Sequence, residues 1–186
     1  MKKVNKKLAY FGGKPIINRK FKPYNVVGQN EIKAVKRVIN SGILTGFVGN
    51  WSKGFFGGKE VQKFEKYLRN FYNVKNAIVV NSWSSGLTVA VGALDINPGD
   101  EIIVSPWTFC ATATAILHWN AIPIFADIEK NTFCIDPKEV KKKITKKTKA
   151  IISTDVFGHP SDLRELKKII KGTNIKIITD SAHAPY

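Results

Sequence analysis

From residue 77 onward the chain alternates short apolar runs with segments of helical period, and that alternation leaves few architectures open. Runs at 77–80, 101–105, 122–125, 150–154 and 175–179 have strand length and are rich in isoleucine and valine. Between them, 84–94, 110–119, 137–144 and 162–170 read as helices. Pro98-Gly99-Asp100 and Gly172-Thr173-Asn174 supply turns before the second and fifth runs. Apolar strands joined by helices predict the α/β class, as a mostly parallel sheet covered on both faces in three αβα layers. Ligands of such a sheet gather at the carboxyl ends of its strands.

The first 76 residues are less regular. Residues 1–28 carry Pro15, Pro23, glycines and basic side chains without periodicity and predict an extended arm; residues 29–186 form the rest of the domain plan. Helices are expected over 29–41, stopped by Ser41-Gly42, and over 59–71. The intervening stretch holds Gly42, Gly46, Gly49, Gly54, Gly57 and Gly58 with Phe47, Trp51, Phe55 and Phe56. A loop of this make-up serves an interface or a substrate mouth, or folds its rings back on itself.

A net charge of +16 raises nucleic acid or an anionic membrane as partners. Against nucleic acid, the basic residues are almost all lysine, scattered along the chain, with Arg19, Arg37, Arg69 and Arg164 the only arginines. Base and phosphate readout favours the arginine fork. Cys110 and Cys134 form no metal-binding or redox spacing and read as reduced thiols. Met1–Lys7 is charged like the start of a signal peptide, but only Leu8 to Phe11 follow before Gly12-Gly13. With no run of transmembrane length, a cytoplasmic protein is expected, with no membrane partner.

The strand ends place chemistry on one edge. After the run at 77–80 come Asn81, Ser82, Trp83 and Ser84, a turn that caps a helix and offers its free amides to an anion such as phosphate. The same residues also suit a plain capped turn. After 101–105 come Trp107, Thr108 and Phe109; after 150–154, Asp155 to Pro160; after 175–179, Asp180, Ser181, Ala182 and His183. A phosphate seat, a flat ring, a carboxylate and an imidazole on one edge suit an aromatic, phosphorylated, cationic cofactor. Asp180 also suits a helix cap, and His183 a structural role.

These pieces resemble a known family. Ser41-Gly42-Ile43-Leu44-Thr45-Gly46, Val80-Asn81-Ser82-Trp83-Ser84, Pro98-Gly99-Asp100-Glu101, Thr108-Phe109-Cys110-Ala111-Thr112, Gly158-His159-Pro160-Ser161-Asp162 and Asp180-Ser181-Ala182-His183-Ala184 stand in family order. The chain is similar to the N-terminal half of the DegT/DnrJ/EryC1/StrS family, fold-type-I pyridoxal-phosphate enzymes that aminate nucleotide-linked keto-sugars. The resemblance implies pyridoxal 5'-phosphate as cofactor, a nucleotide-sugar substrate, glutamate as amino donor and a homodimer. It implies that the amides of Trp83 and Ser84 and the Ser84 hydroxyl hold the phosphate. Phe109 would stack on one ring face, His183 would cover the other, and Asp180 would pair with the ring nitrogen. The family has glycine or another small residue where this chain has Trp83, so its indole is expected to point away from the phosphate.

The family's Schiff-base lysine lies beyond the Asp180–His183 motif, past Tyr186, and none of the lysines present occupies its place. By the same resemblance the final strands of the sheet and a small C-terminal domain are absent. The chain therefore reads as a fragment, expected by itself neither to fold stably nor to transaminate. Without those strands the run at 77–80 would lack a neighbour and the anion turn would drift away from Asp180. A sugar 3-dehydratase of the same superfamily, which has histidine in place of the lysine, and a non-catalytic relic are the alternatives.

Overall fold

The computed structural model describes residues 8–184. Residues 1–7 of the expected arm, including the signal-like charged start, lie outside them. The chain divides into two compact units, Met1–Gly58 and Lys59–Tyr186.

In the first unit, α1 (Gln29–Asn40) starts at Gly28, whose amide is taken by the Glu31 carboxylate at 2.7 Å. Gly28 has no side chain, so only this half of a capping box exists. The glycine-rich loop closes on itself where the Phe47 amide donates to the Gly54 carbonyl at 2.6 Å. Gly57 has φ +89, and a Cβ there would lie 2.7 Å from the Phe47 ring, so the loop needs a residue without a side chain. Trp51 stacks on Phe55 at 4.3 Å, and Phe55 meets Phe56 edge-on at 5.0 Å. The rings therefore satisfy one another in part, while Trp51 and Phe56 remain exposed.

The second unit carries the sheet. Its strands are β1 (Glu101–Val104), β2 (Ile122–Phe125), β3 (Thr148–Thr154) and β4 (Lys176–Asp180), all parallel and ordered β2-β1-β3-β4. Five further helices follow in chain order: α2 (Lys59–Tyr72), α3 (Trp83–Gly92), α4 (Cys110–Leu117), α5 (Pro137–Lys143) and α6 (Leu163–Ile169). Side chains alternate along each strand, so the sheet feeds two cores. Ile102, Val104, Ala150 and Ile152 join Leu87 and Val91 of α3 and Ala115 and Ile116 of α4. Ile103 and Ile151 join Val140 of α5 and Leu166 of α6 on the opposite face. The three-layer expectation holds; the central strands β1 and β3 are buried as their apolar residues require, while the edge strands β2 and β4 are partly exposed.

One expected strand does not form. Residues 77–80 carry no regular secondary structure and belong to no ladder. A strand exists only through a partner, and here the Val79 amide is instead taken by the Glu65 carboxylate of α2 at 3.0 Å.

Candidate functional site

The carboxyl ends of β1, β3 and β4 open onto a cavity of about 380 Å³ whose lining includes Trp107, Phe109, Thr154, Phe157, Asp180 and His183. Thr154 and Asp180 are register partners at the ends of β3 and β4, so the parallel pairing itself sets the cavity floor.

Asp180 is 3% exposed. A buried carboxylate is expensive unless its oxygens are answered by donors. Its Oδ1 accepts from the Trp83 indole Nε1 at 2.7 Å and its Oδ2 from the Thr112 hydroxyl at 2.7 Å. The expectation that the anion turn would drift from Asp180 is thus corrected: the first residue of α3 is tied to the last residue of β4 by a side-chain bond. The indole N–H is directed at this carboxylate.

The threonines form a directed chain. A hydroxyl has one proton to give. Thr112 spends its proton on Asp180, so in the 2.8 Å contact between Thr108 and Thr112 the donor is Thr108. Thr108 has then used its own, so at 3.1 Å Thr154 donates to Thr108. The sequence Thr154, Thr108, Thr112, Asp180 runs one way and ends on the anion. Thr112 closes the motif Thr108-Phe109-Cys110-Ala111-Thr112 without a role read for it, and Thr154 reads only as the end of a strand run; the i, i+4 spacing of Thr108 and Thr112 is the signal that would have linked them.

Helix α3 begins with Ser82 as cap, its hydroxyl accepting from the Ser85 amide at 3.1 Å. The amides of Trp83 and Ser84 occupy the first two helical positions, where an α-helix supplies no acceptor and its dipole is positive. Ser84 is exposed there; the cavity lining does not include it.

His183 is set by the turn after β3. Phe157 has φ 54, a left-handed conformation unusual for a bulky side chain. In it, the Phe157 amide donates to His183 Nδ1 at 3.2 Å, and the two rings lie parallel at 6.3 Å. With Nδ1 accepting, the neutral imidazole carries its proton on Nε2. Asp155, 8% exposed, fixes this turn by accepting from the Ser161 amide at 2.9 Å and the Ser181 hydroxyl at 2.6 Å. Phe109 is 73% exposed at the cavity mouth. Of the five residues expected to form the site, Phe109, Asp180 and His183 line one cavity and Trp83 reaches its floor, while Ser84 stands apart on the exposed helix start.

A sequence model of the DegT/DnrJ/EryC1/StrS aminotransferase family matches residues 27–186. The chain belongs to that family. It is 36% identical over 168 residues to the spore coat polysaccharide biosynthesis protein SpsC of Bacillus subtilis, covering 89% of this chain and 40% of that protein. Among solved structures, the aminotransferase from Psychrobacter cryohalolentis superposes with a TM-score of 0.78 at 32% identity, over 89% of this chain and 40% of that one. A GDP-4-keto-6-deoxymannose-3-dehydratase, solved with a trapped PLP-glutamate geminal diamine, gives 0.76 at 27% identity over 87% and 40%. The chain thus spans about 40% of the length of the relatives it matches. Among the described residues no group of His, Cys, Asp and Glu suits a metal ion, and no helix is long and apolar enough to cross a membrane.

Proposed function

We propose that this chain supplies the cofactor-binding part of a pyridoxal-phosphate aminotransferase that acts on a nucleotide-linked keto-sugar, with glutamate as amino donor and a homodimer as working form. The observation that carries the reading is Asp180: a buried carboxylate, held by uncharged donors, facing an aromatic-walled cavity beside the start of α3. These residues fit the cofactor's chemistry. Bound pyridoxal phosphate supplies an electron sink, provided its ring nitrogen stays protonated. Asp180 favours a proton on a heteroaromatic nitrogen facing it, because an opposite charge in a buried site stabilises the charged form. Phe109 and His183 wall the cavity and offer their rings to the two faces of the cofactor's ring. The amides of Trp83 and Ser84, with the Ser84 hydroxyl, bind the phosphate at the positive end of α3. The family relation and the relatives' sugar substrates support the choice of substrate class.

The test is to titrate the complete gene product with pyridoxal 5'-phosphate and then supply glutamate and nucleotide-linked keto-sugars, following amino-sugar formation by mass spectrometry. Cofactor binding measurably weakened by D180N, with amino transfer in the wild type, is the expected result. The likeness to the 3-dehydratase supports a second reading, a lyase of the same superfamily. A deoxy-keto-sugar in place of an amino-sugar would select it, as would histidine rather than lysine at the position beyond Tyr186 that resemblance to the family assigns to the cofactor-linking residue.

A further inference from the structure

We infer that Trp83 is a positioning residue that holds Asp180 for the cofactor and fixes the spacing between the two ends of its seat. The inference rests on the reading of the cavity just proposed. Trp83 is the first residue of α3, so its backbone lies at the anion-binding helix start while its indole Nε1 lies 2.7 Å from Asp180 Oδ1. One side chain thus spans the distance between the phosphate end and the ring-nitrogen end.

The chemistry of the donor matters. An indole N–H and a hydroxyl orient a carboxylate without neutralising it, whereas an arginine or lysine in the same place would cancel its charge. Asp180 therefore remains an acceptor with its negative charge available to a cation. A carboxylate offers about four acceptor positions, and Trp83 and Thr112 take two of them. Asp180 lines the cavity and Trp83 does not, so the indole approaches the carboxylate from outside the space a ligand would fill. Trp83 supports the site and does not plug it.

The decisive experiment is a double-mutant cycle on the complete gene product, with dissociation constants for pyridoxal 5'-phosphate measured by absorbance titration. W83F keeps an aromatic ring and removes the donor; it is expected to weaken binding about ten- to a hundredfold, the loss of one hydrogen bond to a charged group. In the D180N background the same substitution should have little further effect, because Trp83 acts through Asp180. Binding by W83F as tight as wild type, or tighter as expected of a plug, would overturn the proposal, as would full additivity with D180N. Unchanged binding by D180N itself would instead sink the underlying reading of the cavity. Should W83F fail to fold, the indole N–H resonance of wild-type Trp83 decides. A downfield position kept when pyridoxal 5'-phosphate is added supports the proposal, and its loss on addition refutes it.

Discussion

Asp180 is accommodated in the interior because each of its oxygens is met by a neutral donor carried on a different helix, Trp83 on α3 and Thr112 on α4. Thr112 is fully buried, and T112V would strip one oxygen of the buried Asp180 of its partner. The expected cost is about 1–3 kcal/mol of stability, read from denaturant unfolding of the gene product, with T112S close to wild type. His183 illustrates the same economy of means. Its tautomer is set by a single backbone amide, and that amide is aimed by the left-handed turn at Phe157. Backbone strain of this kind persists only where its surroundings enforce it, and here Asp155 and its two donors do so.

At the scale of elements, the last residue of α3, Gly92, packs against Trp119, two residues past the end of α4. A Cβ added at Gly92 would lie 2.0 Å from the Trp119 ring, whose indole nitrogen is anchored to the Thr88 carbonyl at 2.8 Å. G92A is therefore expected to destabilise the second unit by about 1–3 kcal/mol, measurable as a lowered thermal midpoint. In the first unit, the bond from the Gly28 amide holds the Glu31 carboxyl below its ordinary value of 4.5. A depressed carboxylate contributes above its unfolded value and loses that contribution as pH falls through the folded one. The α1 start should accordingly fray below pH 4.5, and the Gly28 amide resonance should follow that titration in wild type and lose it in E31Q. The elements legible in the sequence were those whose signal is local. Four strands and six helices follow from apolar runs, caps and periodicity, with ends displaced by a residue or two. The run at 77–80 reads as a strand by composition, and it stays unpaired as expected of a run whose neighbouring strands are not in this chain. Asp180 was legible as a strand-end carboxylate, but its donors were not: Trp83 lies 97 residues away and Thr112 lies 68. Trp83 was assigned its backbone alone, and its side chain proved to be the part with a partner.

At the scale of the whole chain, thirty basic residues stand against fourteen acidic ones. A surface of that balance draws anions towards it by long-range attraction, which salt screens over about 8 Å at physiological strength. If the substrate carries a diphosphate, its KM is expected to rise between low and physiological ionic strength while kcat moves little, a split that steady-state assays at several salt concentrations would reveal. The directed threonines have a consequence for how such a sequence can change. Because each hydroxyl has a single proton already assigned to the next, replacing one member with an apolar residue leaves its upstream neighbour without an acceptor and its downstream neighbour without a donor. Positions 108, 112, 154 and 180 are thus expected to drift through evolution as one unit. Alignments of close relatives should show them exchanged together or kept together, seldom altered singly.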